Sequence, residues 1–277
     1  MQIHRYTFLR FGWIFLLHPL LARCQELFVS GLHPYFAWGS YNSLETDAFC
    51  FATNAAALAR CRQGGAGLTG ERPYGIGSLG RYRCAVILPL RAGSAGLQGG
   101  FAGTPPYRET MLSFSYGRRL FESIDIGAQA AFTRGAVSPY DARNYLVAST
   151  AMILHLTSQL NAGWQASVTR QVGGRTAHSP GKPRYSMGMG YNPSPAWSAG
   201  LEIGRDAVSG IGAALGFIYR PHRVVMIRMG FTTGGPPIWF GIGYQLKRFR
   251  LDISASVHDR LGFSPALGIL HTKMIGG

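Results

Sequence analysis

Apolar and polar residues alternate with a period of two along most of this 277-residue chain. Successive side chains of a strand point to opposite faces, so the pattern predicts strands with one apolar and one polar face. In 124–133, Ile124, Ile126, Ala128, Ala130 and Phe132 share one face; Asp125, Gly127, Gln129, Ala131 and Thr133 share the other. Trp164, Ala166 and Val168 alternate with Gln165, Ser167 and Thr169. Trp197, Ala199, Leu201 and Ile203 alternate with Ser198, Gly200, Glu202 and Gly204. Val225, Ile227, Met229 and Phe231 alternate with Met226, Arg228 and Gly230. The clearest stretch sets Phe249, Leu251, Ile253, Ala255 and Val257 against Arg250, Asp252, Ser254 and Ser256. Such segments reach about ten residues, enough to cross a bilayer at a tilt.

Strands are expected at 64–72, 79–90, 95–103, 108–117, 123–134, 145–155, 161–171, 184–192, 197–205, 211–220, 224–231, 237–245, 249–257 and 264–271. That makes about fourteen, an even number, as single-chain outer-membrane barrels require. Connections after even-numbered strands are short, as at 91–94, 156–160, 193–196, 221–223 and 246–248. Several after odd-numbered strands are longer and richer in Gly, Pro and polar residues, most clearly 135–144 and 172–183. Short turns on one rim and longer loops on the other characterise this barrel class, with both termini on the short-turn, periplasmic side. The expected fold is all-β: a transmembrane antiparallel β-barrel spanning 64–271, with a tail at 272–277. A soluble β-sandwich would alternate too, but with shorter strands and closer turn signals. Phe114, Tyr116, Trp197, Tyr219, Tyr244 and Phe249 fall near strand ends, where interfacial girdles sit.

Composition agrees. Only 14% of residues are charged and 38 are glycine, against about 25% charged residues in soluble domains. Mean hydropathy is only +0.06, and after the N-terminus no apolar run nears the ~18 residues of a membrane helix. The longest, 84–90, contains Pro89.

Residues 1–24 read as a signal peptide. His4, Arg5 and Arg10 make a basic start, 11–21 is apolar, and Ala22-Arg23-Cys24 ends in a cleavage-like triplet before Gln25. Cys24 also stands where a lipoprotein would be acylated, although Arg23 is a poor residue for that signal. Export to the outer membrane of a Gram-negative bacterium follows.

The following segment, 25–63, contains a helical-looking stretch at 45–60 with Phe49, Phe51, Ala52, Ala56 and Leu58 on an irregular apolar face. It is too polar to span a membrane and too apolar to lie free. A partly helical plug in the lumen, or a cap on the periplasmic mouth, satisfies both constraints; a short periplasmic tail is the alternative.

The run from Thr46 through Asp47, Ala48, Asn54, Ala55, Ala56 and Leu58 to Ala59 resembles the D-A-x-x-x-x-x-N-P-A-x-L-A stretch that precedes the first strand of FadL-like barrels. The PorV/PorQ-like proteins of Bacteroidetes are the nearest by pattern. The similarity spans about 40–271, including 109–117, Leu154-His155-Leu156-Thr157 and Phe249-Arg250-Leu251-Asp252. It implies a fourteen-stranded barrel with Asp47, Asn54, Ala55 and Leu58 in a plug-like segment. The chain departs from the pattern at Ala55, where the family has proline. Relatives include transporters of hydrophobic solutes and subunits of type IX secretion, so the resemblance leaves function open.

Asp125, Gln165, Glu202, Arg228, Arg250 and Asp252 are the lumen-facing candidates. They either line a passage or pair with one another to fill a closed lumen. No catalytic set, metal site or cofactor is indicated. Gly75-Ile76-Gly77-Ser78-Leu79-Gly80 matches a dinucleotide-binding spacing, but it precedes a strand-like stretch, and no acidic residue follows before Glu109. Cys50 and Cys61 could join in a disulfide, although the odd mature cysteine count argues against full pairing.

The net charge of +15 is dispersed over turns and loops, which speaks against nucleic acid. Rim arginines such as Arg91, Arg118, Arg119, Arg170, Arg175 and Arg184 suit outer-membrane lipid headgroups and lipopolysaccharide. Two functions remain: transport of a small hydrophobic solute, or a non-transporting barrel that docks a secreted or surface protein.

Overall fold

The computed structural model describes residues 41, 47–173, 181–206, 210–233 and 237–271. The expected signal peptide with Cys24, the tail at 272–277 and Arg175 lie outside the described residues. Fourteen strands form a closed antiparallel barrel, each paired with its sequence neighbours, and the first pairs with the last. They are β1 (Gly65–Glu71), β2 (Arg81–Leu90), β3 (Gly93–Ala102), β4 (Tyr107–Phe121), β5 (Ile124–Val137), β6 (Arg143–His155) and β7 (Leu160–Val172). There follow β8 (Lys182–Ser194), β9 (Trp197–Asp206), β10 (Gly210–His222), β11 (Val225–Thr232), β12 (Ile238–Leu246), β13 (Phe249–His258) and β14 (Gly262–His271). The ring shuts with Gly67 opposite Leu270, so no strand edge is left open.

Every strand lies where the alternation predicts, but several run longer. β4 continues to Phe121 and β5 to Val137, with Tyr107 opposite Val137 and Arg108 opposite Ala136. The connection expected at 135–144 therefore shrinks to 138–142. Phe114, expected near a strand end, stands mid-wall for the same reason. The rim carrying 91–92, 122–123, 156–159, 195–196, 223–224 and 247–248 is the short-turn rim. The 75–80 stretch is a turn-rich loop that runs into strand β2, not into a helix.

Across the middle of the wall the outward side chains are mostly apolar, with exposed arginines such as Arg118, Arg134 and Arg205 toward its rims. Ile227, Ile242, Ile253 and Leu267 lie side by side across β11–β14, all exposed. Each such side chain in water forgoes about 1.5–3 kcal/mol of burial, so hydrocarbon is the solvent this surface matches. Among the described residues no helix is long and apolar enough to cross a membrane; the wall itself does so. Tyr82 stacks on Phe101 near the loop rim, and Trp197 stacks on Tyr219 near the short-turn rim, with centroids 4.9 and 4.4 Å apart. Aromatic belts of this kind mark membrane interfaces.

The core of the molecule is where the N-terminal segment meets the inner wall. Phe49, Phe51 and Leu58 are wholly buried against Ile87, Ile153 and Leu270. The stretch expected to be helical at 45–60 forms no single helix over its described part, 47–60. Two short 3-10 segments, Cys50–Ala52 and Ala55–Arg60, are separated by Thr53 and Asn54. Asn54 is extended, and its side-chain oxygen accepts the Ala56 N–H at 2.9 Å, capping the second segment. Ala55 takes the first helical position, the one that tolerates proline, so its departure from the family pattern leaves the turn intact. The apolar face is irregular because the segment packs along several strands of the wall at once, with Phe49, Phe51 and Leu58 against Ile87, Ile153 and Leu270.

Candidate functional site

The short-turn mouth of the barrel carries two ion-pair nodes that tie the N-terminal segment to the wall. At the first, Asp252 of β13 meets Arg228 at 2.7 Å and Arg250 at 3.0 Å. Arg250 reaches on to Asp47 of the segment at 2.5 Å. The other Asp47 oxygen accepts the Phe49 N–H at 3.0 Å, so one carboxylate both starts the plug's first turn and anchors it. Alternation puts Arg228, Arg250 and Asp252 on the lumen face because their strand neighbours are apolar.

The second node centres on Asp125 of β5, which is fully buried. It accepts from Arg60 of the plug at 3.3 Å and from Arg119 of β4 at 3.0 Å. His155 of β6 contacts it at 2.7 Å and joins Asn161 at 2.7 Å through its other ring nitrogen. Asn161 in turn donates to the Tyr41 carbonyl at 3.1 Å. Burial lowers the affinity of the Arg60 guanidinium for its proton, and Asp125 opposes that effect. A cavity of about 380 Å3 opens beside this node, lined by Arg60, Arg62, Arg119, Glu122 and His155 among others.

Between the nodes, glycines on the inner wall make room for the segment. A Cβ at Gly127 would stand 2.3 Å from the Ala55 carbonyl carbon, and one at Gly96 2.8 Å from the Phe51 ring. Gly163 and Gly188, opposite each other in β7 and β8, flank the Tyr41 ring; a Cβ on either would lie within 2.4 Å of it. Burial, then the nearby Glu202 carboxylate, push the Tyr41 phenol well above its ordinary range, so it stays neutral.

All six lumen candidates sit on the inner face. Asp125, Arg228, Arg250 and Asp252 gather in the two nodes, and Glu202 is buried near Tyr41. Gln165 is half-buried on β7, away from both nodes. Of the plug candidates, Asp47 anchors, Asn54 caps, and Ala55 and Leu58 pack against Gly117 and Gly127. Sequence reasoning missed Arg60, Arg119, His155, Asn161 and Tyr41. Arg119, expected at lipid headgroups, is turned onto Asp125, and Arg184 shares the inward face with Ser186. The inward glycines were the available signal for Tyr41.

No protein-family model matches the chain, and no curated protein is significantly similar to it. Solved structures do resemble it. A monoaromatic hydrocarbon channel, CymD, superposes with a TM-score of 0.58 at 12% identity, covering 83% of this chain and 93% of that one. A FadL homologue from Pseudomonas aeruginosa gives 0.56 at 13% identity, covering 84% and 95%. The Ralstonia pickettii toluene transporter TbuX gives 0.55 at 10% identity, covering 80% and 92%. At such identity the likeness is one of fold alone: a closed barrel like those of these structures.

Proposed function

We propose that this chain is an outer-membrane, FadL-like channel for a small hydrophobic solute, with the 47–61 segment stopping its periplasmic mouth. The observation that carries this reading is a likeness over nearly the whole length of barrels named as hydrocarbon channels and a toluene transporter. The apolar outer belt supports a membrane seat, and the signal-like 1–24 supports export. We assign the short-turn rim to the periplasm because short turns face that side in this barrel class. Basic rim residues such as Arg91 and Arg118 would then meet lipid and lipopolysaccharide headgroups.

The tightly packed mouth also favours a second reading, a PorV/PorQ-like barrel of Bacteroidetes type that docks a secreted or surface protein. Purification in mild detergent, with identification of what co-purifies, separates the two. A bound small hydrophobic molecule without a stoichiometric protein supports transport. A stoichiometric protein partner and an empty lumen support docking.

A further inference from the structure

Within the plug, the sulfurs of Cys50 and Cys61 lie 3.4 Å apart. The residues are 1% and 2% exposed. Cys50 belongs to the first 3-10 segment, and Cys61 caps the end of the second. The turn that Asn54 caps and the whole Ala55–Arg60 segment therefore form the loop between two touching thiols. Cys84, the other described cysteine, is exposed on β2 and lies outside the plug's packed cluster. The geometry points to an intramolecular Cys50–Cys61 disulfide that staples the plug, made before the plug enters the barrel.

The step balances as thiol–disulfide exchange. One cysteine thiolate attacks a donor disulfide, either oxidised glutathione or a protein disulfide, and gives a mixed disulfide. The second thiolate displaces the donor sulfur. Two electrons pass to the donor, whose two sulfurs leave as thiolates and take up, through solvent, the two protons the cysteines released. An S–S bond of about 2.05 Å requires the two sulfurs to close by about 1.4 Å from their contact distance. The docked plug gives the reaction no opening. Neither sulfur meets solvent, and contact with Cys61, then burial, push the Cys50 thiol well above its ordinary range. Thiolate is the reactive form, so oxidation belongs to the unfolded chain in transit. The cellular side of this inference rests on the export reading.

Two arms test it. The full chain, unfolded and then refolded into detergent micelles with a glutathione redox mixture, is alkylated under denaturing conditions and digested with trypsin. Cleavage after Arg60 and Arg62 leaves Cys61 in a dipeptide. The expected product joins that dipeptide to the 24–60 peptide, disappears on reduction, and is unchanged in Cys24→Ser and in Cys84→Ser. In the folded protein the bond should resist a hydrophilic reductant at least ten-fold longer than in the denatured protein. Alkylation of both thiols, pairing of either with Cys84, or loss of the linked product in Cys24→Ser overturns the inference whatever the cellular location. Chain quenched in growing cells and taken from the outer membrane should show the same linked pair. Recovery from the cytosol would instead remove the export reading and leave the refolding arm to decide the bond.

Discussion

Arg250 in the thirteenth strand holds Asp47, 203 residues away in sequence, at 2.5 Å. The same guanidinium nitrogen contacts Asp252 at 3.0 Å. Removing one partner of a buried pair typically costs about 3–5 kcal/mol, because the other charge is left unpaired. Arg250→Leu should therefore release the plug while the barrel still closes. Limited proteolysis of detergent-solubilised protein should cut within 47–61 at least ten-fold faster than in wild type. Asp47→Asn, which keeps a polar group in place, should give a smaller acceleration.

The glycine at 127 makes a second, steric prediction. Gly127→Val sets a side chain where the Ala55 carbonyl carbon already stands, 2.3 Å from the new Cβ. Gly135, on the same strand, has nothing within 4 Å of such a Cβ. The first substitution should expose the plug to protease without abolishing the heat-modifiable barrel band. Gly135→Ala should leave both readouts unchanged, within about 0.5 kcal/mol of wild-type stability.

On the outer face, Ile242 lies between Ile227 and Ile253 in the middle of the apolar belt. Ile242→Arg should destabilise the barrel in lipid by about 2–4 kcal/mol, the penalty for a cation near the bilayer midplane. Urea unfolding from lipid vesicles measures it. An unchanged midpoint would mean that this face does not meet hydrocarbon.

Titration gives a fourth. The Cys50 thiol is held above its ordinary value of 9.0 by Cys61 contact and burial. A raised pKa means that the docked plug binds the proton more tightly than the free one. Its contribution is complete below about pH 9 and declines as pH rises through the docked value. Protease protection of the reduced chain should fall above pH 9, whereas the oxidised chain, having no such proton, should show no fall from this source.

Fourteen strands were legible because a half-buried strand writes its two faces into every second residue. Their ends were not, because 118–121 and 135–137 carry no apolar alternation strong enough to signal continued pairing; backbone hydrogen bonds extend them regardless. Asp125, Arg228, Arg250 and Asp252 stood out as charges on an otherwise alternating wall. Asp47 was marked only by its place in the plug-like run, and Arg60 not at all, since both reach their wall partners only through closure of the barrel. His155 read as one scattered histidine among eight, and nothing local shows that it faces Asp125 across β5 and β6. Tyr41 was missed for a different reason: its imprint is the inward glycines at 163 and 188, a signal of space rather than of polarity.

Uptake across an intact outer membrane tests the central claim most directly. In cells lacking their own hydrocarbon channels, the initial rate of accumulation of a labelled monoaromatic hydrocarbon is compared with and without this chain. The account predicts a rate several-fold above the empty-vector background, altered further by Arg250→Leu. A rate equal to background, with the folded barrel present in the outer membrane, would contradict it.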